Sequence, residues 1–177
     1  MSGVGKLAII GASGNGKTTF GRELARRLDV PCVELDALVH GPGWQETPDA
    51  ELRALLAPVI ASPGWVIDGT YQHKIGYLVL QAADQVVWLD LPIRVWLPRL
   101  LHRTARRIRG DEPLWNGNRE SWVTALWGRD SLVLYALRAH FHRRRVWPRE
   151  LARFPVIRLR SRSEVDQFLA RSGVENR

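Results

Sequence analysis

Apolar and polar positions along the chain follow two alternating patterns. Short, nearly continuous apolar runs are typical of strands buried on both faces, and five of them occur, at residues 7–10, 30–35, 65–68, 85–90 and 155–159. Between these runs, apolar residues recur at helical spacing, as at Phe20, Leu24 and Leu28 and again through residues 48–61. This alternation predicts an α/β fold in which helices cover both faces of a five-stranded parallel sheet, giving three layers. We expect one domain over residues 1–177.

A long helical excursion, roughly residues 92–154, separates the fourth and fifth predicted strands. Its first helix has one apolar face, formed by Leu97, Leu100, Leu101, Ala105 and Ile108, and an opposite basic face, formed by Arg99, Arg103, Arg106 and Arg107. Pro98 predicts that the regular part of this helix begins near it. Residues 110–119 are predicted to form a loop, and residues 120–145 a second helix interrupted near Gly128. An arginine-bearing excursion of this kind is typical of a lid that closes over a triphosphate.

The segment between the first strand and the first helix carries the most specific signal. Residues 11–18 read Gly-Ala-Ser-Gly-Asn-Gly-Lys-Thr and fit the phosphate-binding pattern G-x-x-x-x-G-K-[ST] at every required position. Glycines let successive backbone N–H groups surround a polyphosphate, and the following helix presents its electropositive N-terminus. Lys17 can reach the terminal phosphates, and the Thr18 hydroxyl can ligate Mg²⁺. We therefore predict an ATP and Mg²⁺ site whose phosphate-binding residues are Gly11, Ser13, Gly14, Asn15, Gly16, Lys17, Thr18 and Thr19.

Carboxylates end three of the predicted strands. Asp36 closes the second, Asp68 the third and Asp90 the fourth. The carboxyl ends of parallel strands meet at one edge of a sheet, where ligands bind. Each aspartate is therefore a candidate for a metal or phosphate site, with a helix or turn cap as the alternative. We favour Asp68 as the metal residue, and Asp90 is the one that most simply starts the next helix.

Composition limits the classes of partner. Twenty-six Lys and Arg face eighteen Asp and Glu, for a formal net charge of +8, which favours anionic partners such as nucleotides or nucleic acid. An arginine-rich composition inherited from a GC-rich genome is the alternative. The basic run at 143–145, with Arg149 and Arg153, is either a solvated surface or a nucleic-acid patch. No apolar stretch is long enough to cross a bilayer, and the single Cys32, interpreted as a small buried strand residue, excludes an internal disulfide. These features predict a cytoplasmic protein with no membrane partner.

Tryptophan is abundant, with eight residues. Trp65 and Trp88 lie in predicted strands and are expected in the core. Trp44 follows a Gly-Pro-Gly turn, where it could stack on the ring of an acceptor or pack the loop. Trp115 and Trp122 flank the predicted lid and could cover a base or a hydrophobic substrate.

Taken together, these residues resemble a known family. The phosphate loop, residues 65–71 (WVIDGTY) and residues 87–92 (VWLDLP), followed by an arginine-bearing helix, are similar to adenylate kinase and its P-loop kinase relatives. Residues 34–38, 42–44 and 116–120 resemble most the adenylate-kinase-like group called DNA topology modulation proteins. The resemblance covers nearly the whole chain. It implies the strand order 2-3-1-4-5 and an ATP-dependent kinase.

The resemblance also implies roles for individual residues. Asp68 matches the aspartate that holds the metal through water. Arg99 and Arg103 match paired arginines that contact the transferring phosphates, and Arg119 matches a lid arginine more loosely. Asp36 stands where related small-molecule kinases keep a carboxylate that accepts the proton of the acceptor hydroxyl.

Two departures from adenylate kinase concern the acceptor. The arginine that grips AMP in a T-G-D-M-L-R stretch has no counterpart in residues 35–44, and the arginine after D-G-F-P is replaced by Tyr71-Gln72-His73-Lys74. The sequence therefore weakens AMP as acceptor and leaves another nucleotide, a nucleoside or an unrelated hydroxyl compound. We expect a small, nucleotide-like acceptor phosphorylated by a kinase in which Lys17, Asp36, Asp68, Arg99 and Arg103 are catalytic. A nucleic-acid-associated ATPase or regulator is the alternative.

Overall fold

The computed structural model describes residues 5–110, 115–118 and 131–172. Its strands are β1 (Lys6–Gly11), β2 (Cys32–Glu34), β3 (Trp65–Asp68), β4 (Gln85–Leu89) and β5 (Val156–Leu159). Its helices are α1 (Lys17–Leu28), α2 (Leu35–Val39), α3 (Asp49–Ala61), α4 (Gln72–Ile75), α5 (Leu78–Ala82), α6 (Ile93–Gly110), α7 (Leu132–Glu150) and α8 (Arg162–Ser172). Short 3₁₀ turns span Pro42–Trp44 and Trp115–Gly117. The predicted α/β class and the five apolar strands are confirmed.

The five strands form one parallel sheet in the order β2-β3-β1-β4-β5, as the resemblance implied. Strand β1 is therefore central, with β3 and β4 on its two sides. The register pairs Ile9 with Asp68 and Gly11 with Leu89. The loop after β1 consequently leaves the sheet between the carboxyl ends of β3 and β4.

Two apolar clusters pack against the two faces of the sheet, because its central strands are buried on both sides. One contains Trp65 and Trp88, which are both core residues as predicted, and Trp88 meets Trp147 of α7 at a ring distance of 5.3 Å. The other packs Phe20 and Leu24 of α1 against the strands. The three-layer arrangement follows from this double burial. Within the described residues, none of the helices is long and apolar enough to cross a membrane.

The end of β2 differs from the prediction. The strand stops at Glu34, and Leu35 begins α2, so Asp36 lies in the first turn of a helix and does not end the strand. Leu35 and Val39 of this short helix are fully buried, and their packing in the core determines the conformation there. Cys32 is half-buried beside Gly21 of α1, less enclosed than expected.

The first helix of the excursion also differs in detail. Helix α6 begins at Ile93 and continues through Pro98, whose missing N–H costs a single bond on the exposed side of the helix. Its buried face is formed by Trp96, Leu100 and Thr104, whereas Leu101 is exposed. The burial of Trp96 one turn into the helix accounts for the early start. The second helix, α7, is described from Leu132 and ends at Glu150, five residues beyond the expected end.

Candidate active site

The loop after β1 is fixed by its neighbours. Gly14 and Gly16 adopt the left-handed region, at φ 83° and 84°, and a Cβ on Gly14 would lie 2.6 Å from the carbonyl oxygen of Trp96. The side-chain amide of Asn15 donates a 2.9 Å bond to the carbonyl of Leu89, at the end of β4. The loop is thus held between β4 and α6, and α1 begins directly after it with no acidic residue in its first turn. An electropositive helix terminus of this kind is ready for an anion.

Three groups of the loop and β3 meet at the start of α1. The Thr18 hydroxyl donates a 2.8 Å hydrogen bond to Oδ2 of Asp68, and Nζ of Lys17 lies 4.0 Å from Oδ1. Burial raises the pKa of the Asp68 carboxyl, and Lys17 and the Thr18 hydrogen bond oppose that rise. The register between β1 and β3 brings Asp68 close to the loop, because Asp68 pairs with Ile9 just before the loop begins.

These residues fit a magnesium ion. Oδ1 of Asp68 is buried and accepts no hydrogen bond from any described residue, and the Thr18 hydroxyl lies next to the same carboxylate. One carboxylate, one hydroxyl and the oxygens of a bound phosphate are the donor set that Mg²⁺ takes in such sites. Within the described part of the chain, no group of three or more Asp, Glu, His or Cys side chains is arranged so that it could hold a metal ion. A metal here would therefore depend on the nucleotide for most of its ligands.

Arginines from the excursion face the same cleft, which has a volume of about 2010 Å³. Arg99 and Arg103 lie one turn apart on α6, and Arg99 reaches within 3.9 Å of the position of a Cβ on Gly16. Burial lowers the pKa of Arg99, and the neighbouring positive charge of Arg162 acts in the same direction. The predicted phosphate-loop residues line this cleft with them. Arg119 and Trp122 lie outside the described residues.

The other end of the cleft contains Asp36. The Tyr71 hydroxyl donates a 2.6 Å hydrogen bond to Oδ1 of Asp36 and lies 3.0 Å from Nε2 of His40. Burial, followed by the charge of Asp36, raises the pKa of Tyr71, so its hydroxyl keeps the proton. Since that hydrogen points to Asp36, Nε2 of His40 carries a hydrogen and donates to the Tyr71 oxygen.

Aromatic side chains surround this carboxylate. The His40 ring contacts Trp44, Tyr71 and Trp115 at centroid distances of 5.5, 6.1 and 6.2 Å. The indole N–H of Trp115 donates to Glu34 over 3.4 Å. We call this group the Asp36 pocket; its members are Glu34, Asp36, His40, Trp44, Tyr71 and Trp115.

Two asparagines fasten the 3₁₀ turn at 115–117 onto the Asp36 pocket. Asn118 accepts from the backbone N–H of Trp44 over 2.9 Å and donates to the carbonyl of Gly41 over 2.9 Å. Asn116 donates to the carbonyl of His40 over 2.6 Å. Sequence reasoning did not assign roles to Tyr71, His40 or these asparagines. The Asn-Gly-Asn motif at residues 116–118 was the one sequence signal for the two asparagines.

Asp90 has a different environment from Asp68. Both of its oxygens accept from Arg144, at 2.8 and 3.0 Å, and Oδ2 also accepts from Arg158 at 2.6 Å. The carboxylate is 2% exposed and is used in a structural ion pair that ties α7 and β5 to the end of β4.

The basic run at 143–145, with Arg149 and Arg153, is mostly exposed, although three of its arginines have partners within the protein. Arg143 donates to the carbonyl of Gly11 over 3.3 Å, and burial lowers its pKa. Arg144 pairs with Asp90, and Arg153 stacks on Tyr77 at 4.3 Å. The exposure of Arg144, Arg145, Arg149 and Arg153 agrees with the expected solvated surface, whereas Arg143 lines the cleft.

The parallel sheet and the phosphate loop together place the chain among proteins with a P-loop kinase fold. No family model matches the chain. In sequence, the chain is 30% identical over 119 residues to a shikimate kinase of Gloeobacter violaceus, a match that covers 57% of this chain and 64% of that protein. A shikimate kinase of Thermosynechococcus vestitus is 29% identical over 132 residues, covering 63% and 68%. The chain thus spans about two thirds of the length of these curated relatives.

Solved structures agree on the fold. A shikimate kinase from Acinetobacter baumannii in complex with shikimate superposes with a TM-score of 0.59 at 19% identity, covering 99% of this chain and 96% of that one. A gluconokinase from Sinorhizobium meliloti gives 0.55 at 20% identity, covering 99% and 97%. A deoxyadenosine kinase from M. mycoides with bound dATP gives 0.52 at 12% identity, covering 94% and 98%. At these identities the likeness establishes the α/β P-loop kinase fold.

Proposed function

We propose that the protein is an ATP-dependent phosphotransferase that transfers the γ-phosphoryl group to a hydroxyl of a small molecule. One observation carries the proposal: Thr18, Asp68 and Lys17 meet within 2.8 and 4.0 Å at the phosphate loop, and Asp36 lies in the same cleft. A phosphate grip and a second carboxylate in one cleft are the parts that phosphoryl transfer to an alcohol requires.

The nucleotide-binding step uses the loop itself. Backbone N–H groups of residues 14–19 and the N-terminus of α1 hold the β- and γ-phosphates. Lys17 turns from Asp68 toward the γ-phosphate, and Arg99 and Arg103 approach from α6 to stabilise the charge on its oxygens. Asn15 binds through its backbone while its side chain keeps the loop on Leu89.

The metal requirement follows from the donor set. The Thr18 hydroxyl and the Asp68 carboxylate would hold Mg²⁺, directly or through water. When bound, the ion neutralises charge on the phosphate oxygens. Asp68 retains a free oxygen for this purpose even while Thr18 donates to the other.

The acceptor is oriented by Asp36. Its Oδ1 is occupied by the Tyr71 hydroxyl, which leaves Oδ2 to accept the hydrogen of an acceptor alcohol. As the oxygen attacks, Asp36 takes its proton. The shikimate kinases and the gluconokinase are named for small hydroxylated substrates, and their similarity supports an acceptor of that kind.

The nucleic-acid-associated ATPase remains less favoured. That alternative rests on the net charge of +8 and on the resemblance to the DNA topology modulation group. Three arginines of the basic run, Arg143, Arg144 and Arg153, have partners within the protein. The resemblance to the DNA topology modulation group stays a prediction.

The test measures ADP formation against a panel of hydroxylated metabolites, nucleosides and nucleotides, with the product identified by its mass. We expect one class of acceptor to raise ADP formation well above the rate with ATP alone. Lys17→Ala should abolish that rate, whereas Arg26→Ala, on the exposed side of the same helix, should leave it unchanged. Wild-type turnover in the Lys17→Ala variant would overturn the mechanism. Stimulation by duplex DNA and by no small acceptor would favour the ATPase alternative.

A further inference from the structure

The Asp36 pocket differs in charge from the rest of this basic protein. Three segments build that end of the cleft, residues 34–46, 69–73 and 115–118, and none of them contains a Lys or an Arg. They contribute instead three carboxylates to the cleft, Glu34, Asp36 and Glu46. A molecule bound there meets negative charge, in a chain whose net charge is +8.

The three carboxylates are not equally compensated. Glu34 is paired with Arg22 of α1 at 2.5 Å, and Glu46 is paired with the buried Lys74 at 3.0 Å. Asp36 accepts the neutral Tyr71 hydroxyl, and no Lys or Arg among residues 5–110, 115–118 and 131–172 forms an ion pair with it. As far as the described residues go, its charge is therefore left to a ligand.

The walls of the pocket are aromatic. Trp44 is 43% exposed although it contacts His40, and the half-buried Trp115 contacts the same imidazole. An aromatic face attracts a cation through its quadrupole, and tryptophan attracts it most strongly. An exposed indole and a half-buried one beside a carboxylate form a combination suited to an ammonium group.

Backbone strain is concentrated at this pocket. Four residues other than glycine have positive φ in the described chain, and three of them lie here: Trp44 at 60°, Tyr71 at 40° and Asn116 at 56°. Such conformations are costly for bulky residues and persist where the surrounding structure imposes them. Asn118 holds the backbone of Trp44, and Asn116 holds that of His40, so the main chain that carries both rings is in place before any ligand arrives.

We propose that the acceptor is a hydroxylated amine, bound with its ammonium group against Trp44 and Trp115 and its hydroxyl at Asp36. This inference rests on the proposed function and narrows its substrate class. An acceptor phosphate or carboxylate is disfavoured, because the pocket segments offer it no cationic side chain and confront it with Asp36.

The transfer balances with the groups named. The acceptor oxygen forms a bond to the γ-phosphorus as the bond between that phosphorus and the β–γ bridging oxygen breaks. The electron pair of the broken bond leaves on ADP. The hydroxyl proton passes to Asp36, and the products are ADP and the phosphate monoester of the amine.

The first experiment compares acceptors matched in shape and differing in charge. One set consists of cationic ethanolamine, neutral ethylene glycol and anionic glycolate. The other consists of cationic glucosamine, neutral glucose and anionic gluconate. Each compound is assayed with ATP and Mg²⁺ at constant ionic strength. We expect the cationic member to have the highest kcat/KM in any set that is turned over. A preferred neutral or anionic member would overturn the inference and leave the phosphotransferase proposal intact.

The second experiment is independent of turnover. Tetramethylammonium chloride is titrated against the protein while tryptophan fluorescence is followed, with sodium chloride at equal ionic strength as the blank. We expect a saturable change that is lost in Trp44→Leu and retained, about tenfold weaker or less, in Trp44→Phe, which keeps an aromatic face. Phe141→Leu removes a ring that is 61% exposed outside the cleft and is the matched control; it should leave the titration unchanged.

Absence of saturable tetramethylammonium binding in the wild-type protein would overturn the inference whatever the kinetics show. A titration that survives Trp44→Leu would overturn it as well. The phosphotransferase proposal fails by a different result, namely that no acceptor in any charge class raises ADP formation.

Discussion

Tyr71 and Asp36, on different elements 35 residues apart in sequence, are joined by a 2.6 Å hydrogen bond in which the phenol is the donor. The bond occupies one oxygen of the carboxylate, and Asp36 lines the cleft. It also connects the segment between β3 and α4 with α2, so that the position of the carboxylate depends on both.

Replacing Tyr71 by Phe tests this bond. The ring stays and the hydroxyl is lost, so we expect kcat to fall by about ten- to a hundredfold while the KM for ATP is unchanged, because a hydrogen bond to a charged group contributes about 1.5–3 kcal/mol. Steady-state kinetics with the best acceptor measures both. Tyr77→Phe, which alters a tyrosine packed on Phe154, should match the wild type. An equal loss in both variants would argue against a role for Tyr71.

Gly14 tests the contact between the phosphate loop and α6. In Gly14→Ala the new methyl group meets the Trp96 carbonyl at 2.6 Å and Leu100 at 3.1 Å, in addition to the cost of a left-handed backbone. We expect a loss of at least about 2 kcal/mol in the free energy of unfolding together with loss of ATP binding.

Gly43 provides the control for Gly14, because it has a φ of 66° and nothing within 4 Å of its Cβ position. Gly43→Ala should cost only the backbone term, about 1 kcal/mol, and keep ATP binding. Urea unfolding and ATP titration calorimetry give the two readouts. Equal effects at the two positions would contradict the assigned contact.

Asp90 provides a prediction on stability. Because its buried carboxylate receives Arg144 and Arg158, Asp90→Asn leaves two guanidinium groups without their anion, and we expect a loss of about 3 kcal/mol. The urea midpoint measures the loss. Glu23→Gln, in the exposed ion pairs of α1, should change the midpoint little. An Asp90→Asn variant as stable as the wild type would remove the structural role.

His140 predicts how stability depends on pH. Burial lowers its pKa, with Arg144 acting in the same direction and Asp90 opposing it. The folded protein therefore keeps the imidazole neutral at pH values where the unfolded chain, with the ordinary pKa of 6.5, already binds a proton. Because the unfolded state then holds more protons, the free energy of unfolding decreases as the pH falls below about 6.5.

The measurement is the urea midpoint at about pH 7.5 and about pH 5.5. The decrease should be smaller in His140→Gln and unchanged in His142→Gln, which alters an exposed residue of the same helix. A His140→Gln variant with the full decrease would assign the pH effect to other groups.

The strands and the phosphate loop were predictable because their signals are local. Apolar runs such as residues 7–10 and 65–68 have no alternative to burial, and the glycine spacing of residues 11–16 has few other uses. Asp68 became a candidate because it ends a strand, and in the structure it lies beside Thr18 of the phosphate loop.

What the sequence could not predict depends on contacts between distant segments. The sequence of residues 34–38 does not reveal that Leu35 packs in the core and starts a helix. Because it does so, Asp36 lies in that helix and not at the end of the strand. The Asp36 pocket likewise requires residues 115–118 to reach back onto residues 40–44, over more than 70 positions. Leu101 and Pro98 were misplaced because the burial of Trp96 determines which side of α6 faces inward.

The contact of Gly14 with Trp96 and Leu100 has a consequence for motion. Because the first turns of α6 contact the phosphate loop, α6 cannot rotate about its N-terminal end without displacing that loop. We therefore expect any closure of the excursion over a nucleotide to bend α6 beyond Leu100, so that Arg103, Arg106 and Arg107 move while its first two turns stay on the phosphate loop.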